Sequence, residues 1–338
     1  MGWRGLAVFW ACALILAGAG AVTLQVLGPP ASPPEPVAAA PQPPPQPSPQ
    51  PAAQPSPAPA GPDGRIASPD PALLEMSRAF PGAALPRIAA DGRAARVVYA
   101  RRTDPSDTRP RIGLILAGVG LSEADSRAAI DAAPGAVTHA FSSYAPNPDA
   151  LLAAARARGH EVLASIPMEP HGFPLNDAGA KSLLTGAEPA ANRSNLEWAL
   201  SRIQGYAGAT GASDGLRGER FAEQTSSMLP VLEEIARRGL LYIDPRPGRT
   251  MPFPTGVAGR AVDLVVDDPP ARAEIEAKLA ALERLARERG SALGLAGPLR
   301  PVTVERIVAW ARGLDERGFV LAPVSALVGP PAKAGPPP

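Results

Sequence analysis

From Arg111 onward, short runs rich in Val, Ile and Leu alternate with stretches of helical spacing, and this alternation limits the possible folds more than any other feature. The expected strands are 112–116, 136–141, 161–166, 206–210, 240–243, 262–266, 292–295 and 319–323. Between them lie helix signals. Ser122 with Asp125 resembles a capping box, in which a side-chain oxygen accepts from an otherwise unpaired N–H of the first turn. Asp268 before Pro269-Pro270 reads as the cap of a helix with Ile275, Leu279, Leu282 and Leu285 on one face. Glu274–Lys278 and Glu283–Arg287 have the spacing of ion pairs on its other face, and Gly290 stops it. Thr303 begins another helix, with Ile307, Trp310 and Leu314 in phase. Strands that alternate with helices pair in parallel, because each crossover needs a helix to return the chain. The expected fold is α/β: a distorted β/α barrel of seven or eight mostly parallel strands, with an open doubly wound sheet as the alternative. In both, ligands sit at the carboxyl ends of the strands.

The rest of the chain is of a different kind. Of its 44 prolines, 21 fall in residues 29–62 and the last ten residues. Pro, Ala, Gln and Ser bury too little apolar surface to offset the entropy of ordering, so a disordered linker over 29–69 and a disordered tail over 329–338 are expected. Before the linker, residues 5–27 carry no charge, enough to cross a bilayer of about 30 Å as a helix. Arg4 precedes the run and the next charge is Glu35, which leaves the N-terminus in the cytoplasm and exports the remainder. The expected organisation is a cytoplasmic stub and transmembrane anchor in the inner membrane over 1–28, the linker, an extension over 70–110 that packs on the barrel, and the barrel itself over 111–328. A cleaved signal peptide is the rival, since Ala17 to Ala21 are small; both place the body in the periplasm. The one cysteine, Cys12, falls in this run and reads as a membrane-helix residue rather than a lipidation site. A net charge of +1 without clustered Lys and Arg gives no nucleic-acid surface.

Several expected strand ends carry family text. Val137-Thr138-His139-Ala140-Phe141-Ser142-Ser143-Tyr144-Ala145-Pro146 resembles a Val-Thr-x-Ala-Phe-x-x-Tyr-Ala-Pro segment. Gly159-His160-Glu161-Val162-Leu163, Pro167-Met168-Glu169-Pro170, Asn176-Asp177, Leu183-Leu184-Thr185, Gly205-Tyr206, Arg238 to Asp244 and Val324 to Leu327 follow in order. Over about 70–327 the chain is similar to the divergent polysaccharide deacetylases. That resemblance implies a NodB-like distorted barrel and, in active members, hydrolysis of N-acetyl groups on sugars. There a divalent metal polarises the carbonyl and activates water while a carboxylate takes the proton.

The residues that this chemistry needs are replaced. Where such relatives end the first barrel strand in Asp-Asp, this chain has Ala117-Gly118. Leu216 stands where a His precedes the segment matched by Arg217-Gly218-Glu219-Arg220-Phe221, beside a Gly-rich stretch, 211–215. A later strand end reads Leu293-Gly294-Leu295-Ala296-Gly297-Pro298, again without His. What remains near the expected mouth is Glu169, Asp177 and Asp214 as residual catalytic candidates, and Tyr144, Glu169, His171, Asp244 and Arg246 as ligand-binding candidates. The bland alternatives are loop-fixing caps for Glu169 and Asp177, an internal ion pair for Asp244 and Arg246, and a turn for Asp214. His139 reads as a core histidine and His160 as a turn residue. Aromatic residues are 4% of the chain, few for stacking a glycan, with Tyr144, Phe173 and Tyr206 the ring candidates. No Gly-x-Ser-x-Gly elbow is present, and Gly118-Val119-Gly120 lacks the third glycine of a dinucleotide loop. The expectation is a non-catalytic relative that uses no cofactor and binds a glycan or peptidoglycan fragment or an envelope protein. The alternatives are an active deacetylase with Glu169, Asp177 and Asp214 around zinc or another divalent metal, and a scaffold for cell-wall enzymes.

Overall fold

The computed structural model describes residues 64–248 and 253–330. The expected anchor over 5–27, all but the end of the linker, and the tail from 331 lie outside the described residues. Among the described residues, no helix is long and apolar enough to cross a membrane.

The extension opens with a single 3-10 turn, Pro71–Leu73, whose Ala72 N–H is met by the Asp70 carboxylate. A small antiparallel ladder follows, β1 (Leu74–Met76) with β2 (Ala84–Pro86), then one helical turn, α1 (Ala95–Val98). The body runs β3 (Arg111–Val119), α2 (Glu123–Ala132), β4 (Thr138–Phe141), α3 (Asp149–Ala157), β5 (Val162–Ser165), α4 (Pro189–Ser201), β6 (Gly208–Thr210), α5 (Glu219–Glu223), α6 (Thr225–Arg237) and β7 (Leu241–Asp244). It continues through β8 (Ala258–Ala261), β9 (Leu264–Val265), α7 (Arg272–Arg289), β10 (Ser291–Ala296), α8 (Pro301–Arg312) and β11 (Val320–Leu321), and ends in a 3-10 turn, Val324–Leu327.

The sheet order is β8-β7-β6-β5-β4-β3-β10-β9, every pair parallel, with β11 added against the start of β3. The two outermost strands are successive pieces of one bent segment. Val262 N–H donates to Asp244 on one side, and Asp263 N–H donates to Leu293 on the other. The curled sheet therefore meets itself through a two-residue bend. Asp263 braces the bend, accepting from Arg260 and from Leu293 N–H, each at 2.7 Å.

β3 shows why its run is continuously apolar. Ile112, Leu114 and Leu116 pack in one cluster with α2, α7 and α8. Ile115, Ala117 and Val119 pack in the other, with β4 to β7 and their helices. A strand buried on both faces needs no alternation of polar residues. Two helix starts and two ion pairs differ from expectation. The Asp268–Pro269 bond is cis, and α7 begins at Arg272 with Ala271 as its cap. Glu283 turns from Arg287 to Trp310 and Arg317, Glu274 and Lys278 form no ion pair, and α8 begins at Pro301 rather than Thr303. The Gly290 stop and the Ser122 cap are as expected.

Candidate functional site

The carboxyl ends of β3, β6 and β10 are where the missing ligands would have stood, and two loops roof them. The first is a two-residue hairpin. Ser213 and Leu216 exchange backbone hydrogen bonds of 2.8 and 2.9 Å, and the residues between them, Asp214 and Gly215, both have positive φ, 46° and 84°. That is the geometry of a type I′ turn, for which Asp-Gly is a favoured pair. The second roof is Gly297-Pro298-Leu299. It is held by Asp267, a buried carboxylate that accepts from Gly297 N–H and from the Thr303 hydroxyl. Burial raises the Asp267 pKa.

The two roofs meet over Ala117 and Gly118. Gly118 sits at a bulge of β3, and a Cβ added there would lie 3.5 Å from Asp214 Oδ1 and 3.6 Å from Leu299 N. A Cβ on Gly215 would lie 2.9 Å from Pro298, and one on Gly297 would lie 3.0 Å from the Ala117 methyl. The cavity left between Ala117, Ala212, Gly215, Leu216, Arg217 and Gly297 is about 10 Å³. That is room for one water at most.

Of the carboxylates around this mouth, Asp214 is exposed at the tip of its turn, and Glu169, Asp177 and Asp244 are committed elsewhere. Glu169 is buried; its Oε2 accepts from Thr185 N–H and Oγ1 at 2.6 and 2.7 Å, and its Oε1 meets Arg220 at 2.9 Å. It ties the loop after β5 to the 183–185 segment and to α5. Asp177 is exposed and caps Gly179 N–H at 2.9 Å. Asp244 and Arg246 form a buried bidentate pair, with the shortest contact 2.6 Å. His171 is exposed, with its Nε2 hydrogen-bonded to Glu223 Oε2 at 2.9 Å. Among the described residues, no three His, Cys, Asp or Glu side chains come together so as to hold a metal ion. The donor set therefore does not fit a catalytic divalent metal, which needs several protein ligands and an open position. The arrangement of Glu169, Asp177 and Asp214 around one ion is not formed.

Of the ring candidates, Tyr144 is half-buried. Its hydroxyl accepts from Lys181 N–H, and its ring lies 5.1 Å from Trp198, which in turn carries the Arg202 guanidinium at 5.7 Å. Phe173 is half-buried in the loop after β5. Tyr206 precedes β6 at the opposite end of the strand, is buried, and donates to Leu200 O. It is no part of the mouth. Sequence reasoning missed Trp198 and Asp267. The first is one ring on a helix of otherwise ordinary text; the second is adjacent to a residue read as a helix cap.

A curled parallel sheet, covered by helices and filled at its carboxyl mouth, is the class that fold and site define. The chain belongs to the divergent polysaccharide deacetylase family, whose model matches residues 114–328. It is similar to the crystal structure of an uncharacterized protein from Agrobacterium tumefaciens C58: 32% identity, covering 73% of this chain and 100% of that one, TM-score 0.67. The catalytic domain of a peptidoglycan N-acetylglucosamine deacetylase from Eubacterium rectale ATCC 33656 matches at 13% identity over 69% of this chain and 95% of its own, TM-score 0.42. That likeness is too distant to carry an argument about chemistry. None of the curated proteins matches the sequence.

Proposed function

We propose that this chain is a non-catalytic member of its family, tethered to the inner membrane through residues 5–27, with its body in the periplasm. It acts there by binding an envelope protein rather than by hydrolysing a glycan. The observation that carries the reading is the filled mouth. A sugar ring with its N-acetyl group needs a cleft of hundreds of Å³ with converging polar groups. The space between β3, β6 and β10 is about 10 Å³ and has no free carboxylate or imidazole in its lining. A cavity of about 710 Å³ opens instead on the outside of the barrel, between α4 and α6, with Leu196 and Val231 at its floor and Arg193, Glu233 and Arg237 along it. Its place on the helix layer suits a protein contact. The test is titration of the full-length chain in detergent with N-acetylglucosamine oligomers and peptidoglycan fragments at millimolar concentration, followed by NMR. No shift is expected at Ala117, Gly118, Asp214 to Arg217 or Gly297. Saturable shifts confined to those residues would replace this reading with a glycan-binding one.

A further inference from the structure

Two of the three histidines are buried against each other at the opposite, amino-terminal side of the strands. His139, in β4, is paired in register with Leu116 of β3 and Val162 of β5 and is fully shielded from solvent. Its ring meets that of His160 edge-on, centroids 4.2 Å apart, and neither of its ring nitrogens has a hydrogen-bond partner. His160 Nδ1 lies 2.8 Å from Val137 O, and its Nε2 lies 3.1 Å from Ile130 O on α2. A neutral imidazole has one N–H and one lone pair. One of the two His160 contacts therefore sets lone pair against lone pair, while His139 forgoes both a donated and an accepted bond. Of the neutral pair, His160 is held by one donated bond and His139 only by its surroundings.

Val137 O and Ile130 O would each accept from a protonated His160, but burial outweighs them, and no carboxylate is free to pair with the charge. The charges that act on His160 are Arg101 and Arg158, both cations that disfavour its protonation, and Asp131 of α2 is already paired with Arg158 at 2.9 Å. Glu161 is adjacent in sequence, but its carboxylate accepts from Arg101 N–H, from Ser325 N–H and from the Ser325 hydroxyl. These bonds tie three distant segments to one corner. Arg101 also reaches Gly64 O and Gly159 O, and Thr138, next to His139, accepts from Val324 N–H.

We propose that the His139–His160 pair makes this corner an acid-released latch: proton uptake by the pair opens the junction of α2, the 133–137 turn and β4. The opening frees the Val324–Leu327 turn and the extension around Arg101 before the barrel unfolds. Burial holds both imidazoles below their ordinary pKa, His139 well below it. Below about pH 6.5 the opened corner thus binds more protons than the closed one, so the latch is intact above that pH and weakens as pH falls. Glu161 acts in the opposite sense. Burial raises its pKa, so taking up a proton there favours the closed corner, and it cannot be the source of acid release.

Hydrogen exchange of the full-length chain in detergent, corrected for the intrinsic rate and followed by mass spectrometry between pH 7.5 and 5.5, tests this. Peptides covering 128–142 and 320–328 should lose protection about tenfold per pH unit below pH 6.5 for each proton taken up, while α7 and β10 hold theirs. His139→Leu, which removes one of the two imidazoles, should make the fall in those peptides shallower over this range, leaving His160 alone to take up a proton. Equal protection at both pH values in the parent chain, or an unchanged fall in His139→Leu, would overturn the proposal. The parent chain also reports directly through its imidazole Cε1 resonances. His139 and His160 should not titrate while the corner stays protected; titration of either with protection retained would overturn it as well.

Discussion

Replacing Glu169 by Gln separates a structural carboxylate from a catalytic one. Glu169 accepts two hydrogen bonds, from Thr185 N–H and Thr185 Oγ1, and its other oxygen is ion-paired with Arg220 Nε, with its own side chain only 4% exposed. Gln is nearly isosteric, but its amide has one accepting oxygen. If that oxygen keeps the two Thr185 bonds, the NH₂ faces the Arg220 guanidinium, donor against donor. A hydrogen bond to a charged group is worth about 1.5–3 kcal/mol. Arg220 is 56% exposed, so water recovers part of what it loses. The net cost is about 2 kcal/mol, or about 4–8 °C in melting temperature for a body of this size. The assay is a thermal melt of the full-length chain followed by circular dichroism, with Arg220→Ala expected to give a smaller loss. A carboxylate kept for catalysis or metal binding carries uncompensated charge, and removing it leaves stability unchanged or raises it. A Glu169→Gln melt within a degree of the parent would refute the structural assignment.

The other expectations follow from the same geometry. Ala117→Asp with Gly118→Asp should lower stability by about 1–2 kcal/mol, because Gly118 has positive φ and a carboxylate there would stand beside Asp214; metal analysis should find no zinc gained. Gly215→Ala should cost about as much, from its φ of 84° and the nearby Pro298 ring, and is read from the same melts. Leu279→Ala, in the fully buried face of α7, should cost about 2–5 kcal/mol in urea unfolding. A reporter fused after Leu327 should be active only outside the cytoplasm, with the full-length protein retained in membranes; release of a shortened soluble form would contradict the anchor.

The parts of this fold written locally were legible. β3, β5, β7 and β10 are apolar runs because both faces of the sheet are covered, and Gly290 ends α7 in the left-handed conformation that favours glycine. β8 was not legible. Its Ala-Gly-Arg-Ala text has no strand signature, and Gly259 is there because a Cβ would lie 2.6 Å from Tyr242 O on the neighbouring strand. The start of α7 was misread because Pro269 suits a first helical turn by local rules, whereas a cis bond and the 267–271 loop occupy that place. The loss of metal-binding residues at Ala117, Gly118 and Leu216 could be read directly. That Asp214 and Gly215 fold down over Gly118 could not, since a turn propensity says nothing of where the turn lands. The commitment of Glu169 to Thr185 and Arg220 was hidden for the same reason: its partners lie 16 and 51 positions away, and only the fold brings them together.

The central claim is that the filled mouth supports neither a metal nor hydrolysis. Its most direct test is the metal content of the purified full-length chain, measured with its turnover of N-acetylglucosamine oligomers on the same sample. The account predicts far less than one equivalent of zinc or other divalent metal and no acetate release above a blank. One equivalent of bound metal, with acetate release abolished by Glu169→Gln or Asp214→Asn, would contradict it.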